Sequence, residues 1–176
     1  MRVASQLTFC SPQQILRQTV VEQDQQKIVT AIFGLDDSRV ESARTLFFDG
    51  IISSEISSLK EEVSPLVLRK LVKDYQYIDL SDERTASFNV QAGMPLILDF
   101  GTTDANVAST FLRQFAADLE SLSIFDIIAA CTYYPALLLG QSSSLTVGVN
   151  TDLLLWENVD LVNKRIKNNT KIRIVG

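Results

Sequence analysis

Strand-like text lies at both ends of this chain and helix-like text lies between, and that distribution limits the fold more than any other feature. From Leu7 to Phe33 the sequence reads "QLTFC", "ILRQTVVE" and "KIVTAIF", short runs rich in β-branched residues, the last two joined by the polar "QDQQ". This pattern predicts a hairpin with Ile28 and Ile32 on one face. "GLDDSRVESA" supplies a turn, and "RTLFFDGIIS" returns to an apolar strand closed by Asp49 and Gly50. From Leu145 onward "LTVGV", "DLLLW", "VDLVNKRI" and "KIRIVG" again read as strands.

Between them the period changes. In "SPLVLRKLVKDY", Ser64 is a cap, Pro65 the first helical residue, and Leu68, Leu71 and Val72 share a face. A strand is expected around Tyr77–Leu80 and an irregular loop around Asp82–Ser87. "PLILDFGTTDAN" is a buried strand, Leu96–Phe100, running into a helix with Asp104 near its start and Phe111, Phe115 and Leu119 inward. Ser123 followed by Asp126 opens a second helix that carries to about Pro135. The fold class is therefore α+β. The terminal segments, 1–52 and 141–176, are expected to pair into a small β-sandwich around an inserted α/β segment, 53–140.

Composition closes off several functions. With 46% hydrophobic residues in 176, a core is assured. A net charge of −5 and scattered Lys and Arg argue against a nucleic-acid surface. The N-terminal run lacks the continuous apolar core of a signal peptide, and no apolar run is long enough to span a bilayer, so a soluble cytoplasmic protein is expected and no membrane partner. There is no histidine. Cys10 and Cys131, far apart in apolar surroundings, read as buried thiols, since no further Cys or His completes a zinc site. No cofactor and no metal are expected.

Several local patterns resemble the amidohydrolase superfamily, particularly its chlorohydrolase and cytosine-deaminase-like members. "ILRQTVVEQDQQKIVTAI" is similar to the family's opening hairpin. "SIFDIIAACTYYPALLLG" followed by "SLTVGVNTDLLLWE" is similar to its closing helix and strand, matching at Ala130, Thr132, Pro135, Ala136, Leu139, Gly140, Leu145, Gly148, Asp152 and Leu153. The family's metal-binding Gly-Phe-x-Asn-x-His-x-His region falls on "DGIISSEISSLKEE", where Glu55, Ser57, Leu59 and Lys60 keep the frame. Ser53 takes the place of the second paired His, Ser58 that of the later one, and the first is deleted. The family's late Gly-Thr-Asp-Ser strand end resembles "LDFGTTDAN", with Thr103 at the metal-contacting Asp, or Asp104 if one residue is inserted. The resemblance implies a terminal sandwich and a barrel remnant, because about 80 residues separate Gly50 from Thr132 where an eightfold barrel needs roughly 200.

Candidate site residues follow from both readings. Glu55, Asp99 and Asp104, with Asp49, could converge in a carboxylate site, because three of them lie near strand ends, where α/β ligands bind. The simpler reading is that Asp49 and Asp99 are turn or strand-end residues and Asp104 is a helix cap, roles Asp commonly fills. The serines of "SSEISS" and "QSSSL" lack a His base, which leaves Lys60 as the one conceivable partner of a Ser-Lys dyad; beside Glu61 and Glu62 it reads more simply as a solvated helix end. Two functions remain. One is a non-catalytic relative, a pseudo-enzyme acting as a structural or interaction module, as a homo-oligomer or with a protein partner. The other is a metal-dependent or carboxylate-based hydrolase of C–N bonds with its site completed at a subunit interface.

Overall fold

The computed structural model describes residues 1–40, 44–82, 90–91 and 93–175. Their strands are β1 (Arg2–Ser11), β2 (Gln14–Gln23), β3 (Val29–Gly34), β4 (Leu46–Ser53), β5 (Gln76–Asp79), β6 (Leu96–Asp99), β7 (Leu154–Glu157) and β8 (Lys171–Ile174). The helices are α1 (Leu59–Glu62), α2 (Pro65–Leu71), α3 (Ala105–Gln114), α4 (Ala116–Leu119), α5 (Ile124–Ile128) and α6 (Tyr134–Leu138), with a π-helical segment, Ala129–Tyr133, fusing the last two. No helix among the described residues is long and apolar enough to cross a membrane. The loop expected around Asp82–Ser87 lies outside the described residues beyond Asp82.

The terminal segments do pair, though the backbone joins them into one mixed six-stranded sheet, β3-β2-β1-β4-β7-β8, rather than two. All neighbours are antiparallel except β1 and β4. The segment before β7 comes back against β3 at one end of the sheet: Val29 N–H donates to Val149 O (2.8 Å) and Gly148 N–H to Val29 O (2.8 Å). Alternation along β4 divides the core. Ile51 joins Phe9, Trp156, Leu98, Leu112 and Ile128 in the main cluster beneath the helices, whereas Ile52 joins Val3, Val21, Val29 and Leu155 in a second one. The second sheet is the parallel pair β5-β6.

Several expectations change in detail. β4 does not close at Asp49 and Gly50. Ser5 pairs with Phe48 and Leu7 with Ile51, so the strand carries an extra residue there and continues to Ser53. Gly50 takes φ +144°, and a Cβ on it would collide with the Trp156 carbonyl. Ile28 and Ile32 are only half-buried; Val29 and Phe33 are the buried members of that hairpin arm. "LTVGV" is not a strand, because Leu145 N–H is spent on Cys10 O and Gly148 turns at φ +94°. "VDLVNKRI" is a tight turn in which the Asp160 carboxylate accepts from Val162 N (3.1 Å) and Asn163 N (3.0 Å).

The helices start where their caps place them. Ser123 Oγ accepts from Asp126 N (3.1 Å) and Pro65 opens α2 behind Ser64. α2 buries no residue fully, so Leu68, Leu71 and Val72 form a half-buried face. In α3 the inward residues are Ala105, Ala108, Ser109 and Leu112, with Phe111 at the margin. The second helix passes through Pro135 instead of ending there. Proline has no N–H for the carbonyl of Cys131, and Ser57 N–H donates to that oxygen instead (3.0 Å). The π-helical widening at Ala129–Tyr133 makes room for this, and it pins the segment after β4 against the helix. Cys10 and Cys131 are free and buried.

Candidate functional site

Six residues, Ser53 to Ser58, leave β4 and cross the end of the molecule, and all the candidate chemistry depends on how they are held. Ser53 is fully buried; its Oγ donates to Ser54 O (2.9 Å) and accepts from the Trp156 indole N–H (2.9 Å). Ser58, also fully buried, donates to Asp99 Oδ1 (2.6 Å) and accepts from Glu61 N (3.2 Å), capping α1. The positions that the family resemblance assigns to metal ligands are thus taken up by internal hydrogen bonds.

Asp99 ends β6 directly beside Asp79 on β5, at the carboxyl edge of the parallel pair. It is fully buried. Oδ1 accepts from Ser58 Oγ and Gly101 N (2.9 Å), and Oδ2 from Lys60 N (2.8 Å) and Tyr77 Oη (3.0 Å). Four donors fill the four lone-pair positions of a carboxylate, so nothing is left for a substrate. Burial, with the Asp99 charge behind it, pushes the Tyr77 phenol far up and keeps it a donor.

Lys60 lies across the same edge. Its Nζ donates to Asp79 Oδ2 (2.8 Å) and Ser81 Oγ (2.7 Å), so a lysine and a serine do meet. The Asp79 hydrogen bond, however, holds the ammonium above its ordinary pKa. A protonated lysine cannot take a proton from serine, and the dyad reading fails on that ground. As a residue of the short helix α1, Lys60 has its side chain exposed, as expected, and it is bonded as well.

Asp104 caps α3, its Oδ1 accepting from Asn106 N (2.7 Å) and Val107 N (3.3 Å). Asp49 is exposed in mid-strand and lines a separate hollow with Glu157 and Lys167. The four carboxylates proposed from sequence therefore do not converge.

Glu55 is the exception. It reaches solvent between two adjoining cavities of about 260 Å³ each and lines both. One is also walled by Glu62, Thr103 and Asp152, the other by Ser54, Asn150 and Thr151, and Ser57 and Gln141 face both. Thr151 Oγ1 accepts from Glu55 N (3.1 Å), and Glu55 Oε2 accepts a long bond from Asp152 N (3.5 Å). The cavity walls desolvate the Glu55 carboxyl and raise its pKa; the nearby Asp152 charge adds to this, against the Asp152 N–H and Lys27, which pull it down. Lys27 is bound to Asp152 itself (2.5 Å).

Asp152 and Lys27 were not among the sequence candidates. Asp152 was visible only as a matched position in the closing strand, and nothing local joins it to Lys27, in a turn at the far end of the chain. Among the described residues no three His, Cys, Asp or Glu side chains form a group able to hold a metal ion. What the arrangement offers is a carboxyl with a raised pKa beside a second carboxylate, in a polar double cavity.

No family model matches the chain. No curated protein matches it in sequence either. Among solved structures it is similar to the Helicobacter pylori aminofutalosine deaminase, with a TM-score of 0.30 and 14% identity over 46% of this chain and 19% of that one. It is also similar to the Helicobacter pylori enzyme in complex with methylthio-coformycin, with a TM-score of 0.28 and 10% identity over 68% of this chain and 28% of that one. Both are distant, partial likenesses, and the chain spans less than a third of either enzyme's length.

Proposed function

We propose that this protein is a non-catalytic relative of the amidohydrolases, a pseudo-enzyme that serves as a structural or interaction module. The observation that carries this reading is the use made of Ser53 and Ser58. Both hydroxyls, at positions where the resemblance puts imidazole ligands, are consumed in holding Trp156, Asp99 and α1. Side chains fully bonded inside a fold are not available to a metal or a substrate. In the same reading, residues 53–140 are what remains of a barrel, with β5, β6 and α3 as its strand-strand-helix residue, carried between the terminal segments 1–52 and 141–176.

Self-association or a protein partner in the cytoplasm belongs to this proposal. β8 is protected at its outer edge, because Ser109 of α3 bonds both Ile172 N (2.7 Å) and Ile172 O (2.9 Å). β4 is different: β7 pairs with it only over Ile51–Ser53, and Leu46 and Phe47 in its first half are 41% and 64% exposed. That half-strand is where a second copy would add.

The alternative, a metal-dependent or carboxylate-based hydrolase of C–N bonds with its site completed at a subunit interface, draws support from Glu55, whose raised pKa suits a general acid or base. Metal analysis of the purified protein together with its mass by light scattering separates the two. The expected result is substoichiometric Zn, Fe and Mn and a mass that is a multiple of 19.6 kDa. One metal ion per chain would overturn the non-catalytic reading, and a monomer at micromolar concentration would overturn self-association.

A further inference from the structure

Of the four serines in "SSEISS", two are spent on the fold and two are not. Ser54 and Ser57 are only 7% and 6% exposed, yet neither Oγ has a hydrogen-bond partner among the described residues. Every side-chain nitrogen or oxygen that is closed off from solvent does have a partner. These two hydroxyls must therefore open on the space beside them, which is the double cavity around Glu55. Both hydroxyls, on residues otherwise packed into the fold, are thus left open to whatever occupies that space.

The walls define what enters. Glu55, Glu62 and Asp152 supply carboxylates, while no Lys or Arg lines either cavity. Lys27, bonded to Asp152 from outside the lining, offsets that one carboxylate, and Glu55 and Glu62 remain to repel an anion and draw in a cation. Among the described residues the carboxylates are not gathered into a metal-holding group, and a single ammonium needs only one of them. Ser54, Ser57 and Gln141 offer hydroxyls and an amide, which match hydroxyl groups on a ligand. Cavities of about 260 Å³ lie just below the ~300–1,000 Å³ range of drug-sized pockets, so the ligand is small. An ammonium beside Glu55 would also offset the desolvation that raises its pKa.

We propose that this double cavity binds a small hydroxylated primary ammonium compound, with its amino group against Glu55 and its hydroxyls on Ser54 and Ser57. This goes beyond the non-catalytic reading, since a module without chemistry can still hold a ligand.

The test is a titration of the full chain with serinol, followed by backbone amide NMR, with glycerol as the neutral control and Glu55→Gln and Ser57→Ala as variants. The expected result is saturable shifts confined to residues 54–58, 141–142 and 150–152. Affinity should be at least tenfold weaker for glycerol and in Glu55→Gln, and about threefold weaker in Ser57→Ala. The spectra of the variants themselves report whether they are folded. No saturable shift in the natural protein, or equal affinity for glycerol or in Glu55→Gln, would sink the proposal. Stoichiometric metal would overturn the non-catalytic reading without touching this one, so the two fail separately.

Discussion

Asp99 and Glu55 are two acidic residues that the sequence offers for the same job, and the fold treats them in opposite ways. Asp99 is fully buried with every acceptor position filled by a donor from four different residues. Glu55 reaches solvent, with one long bond from a neighbouring backbone amide and cavities on both sides. A carboxylate at the carboxyl end of a parallel strand is in the expected place for ligand chemistry, yet position alone does not decide. Free acceptor capacity does, and it belongs to Glu55.

The contrast is sharpest under substitution. Asp99→Ala would strand the Ser58 hydroxyl, the Tyr77 phenol and the Lys60 and Gly101 amides around a buried void. Removing one side of a buried charged hydrogen-bond network costs about 3–5 kcal/mol. Urea unfolding should show that loss, and a cost below about 1 kcal/mol would mean that Asp99 does not organise this edge.

Ser53→Ala is the next largest effect. It leaves the buried Trp156 indole N–H without its acceptor, at a cost of about 1–3 kcal/mol. Trp156 is the single tryptophan of the chain, so its fluorescence reports the change directly. The variant should unfold at lower denaturant with an unchanged m value. An unaltered midpoint would show that the serine at this ligand position has no structural use, and would reopen the question of what it is for.

How much of this was legible beforehand depended on the range of the interactions. The caps at Ser64, Asp104 and Ser123, and the strands around Tyr77 and Leu96, depend on residues within one turn or one strand, and they stand where the sequence places them. The passage of a helix through Pro135 was not legible, because it depends on an N–H from Ser57, on another element. "VDLVNKRI" carries strand-like residues, but Asp160 offers its backbone a local alternative that outcompetes pairing. The site follows the same rule. Glu55 could be named from its strand end, whereas Asp152 and Lys27 reach it only because the segment before β7 comes back against the turn before β3.

The smallest effect carries the opposite sign. Because the Glu55 pKa is raised in the fold from its ordinary 4.5, the folded state holds its proton more tightly than the unfolded chain does. The folded state then binds more protons in the window above 4.5, so this group's contribution to stability is greatest below that pH and declines as pH rises through the folded pKa. Glu55→Gln removes the charge that the cavity disfavours. At pH 7 it should leave the protein as stable as before or more stable by a few tenths of a kcal/mol, a modest gain because solvent screens an exposed side chain. Its stability curve should also lack the decline above pH 4.5 that the raised Glu55 pKa predicts for the natural protein. If Glu55→Gln instead destabilised the fold at pH 7 as Asp99→Ala does, Glu55 would be a second structural carboxylate and the open cavity would have no chemical centre.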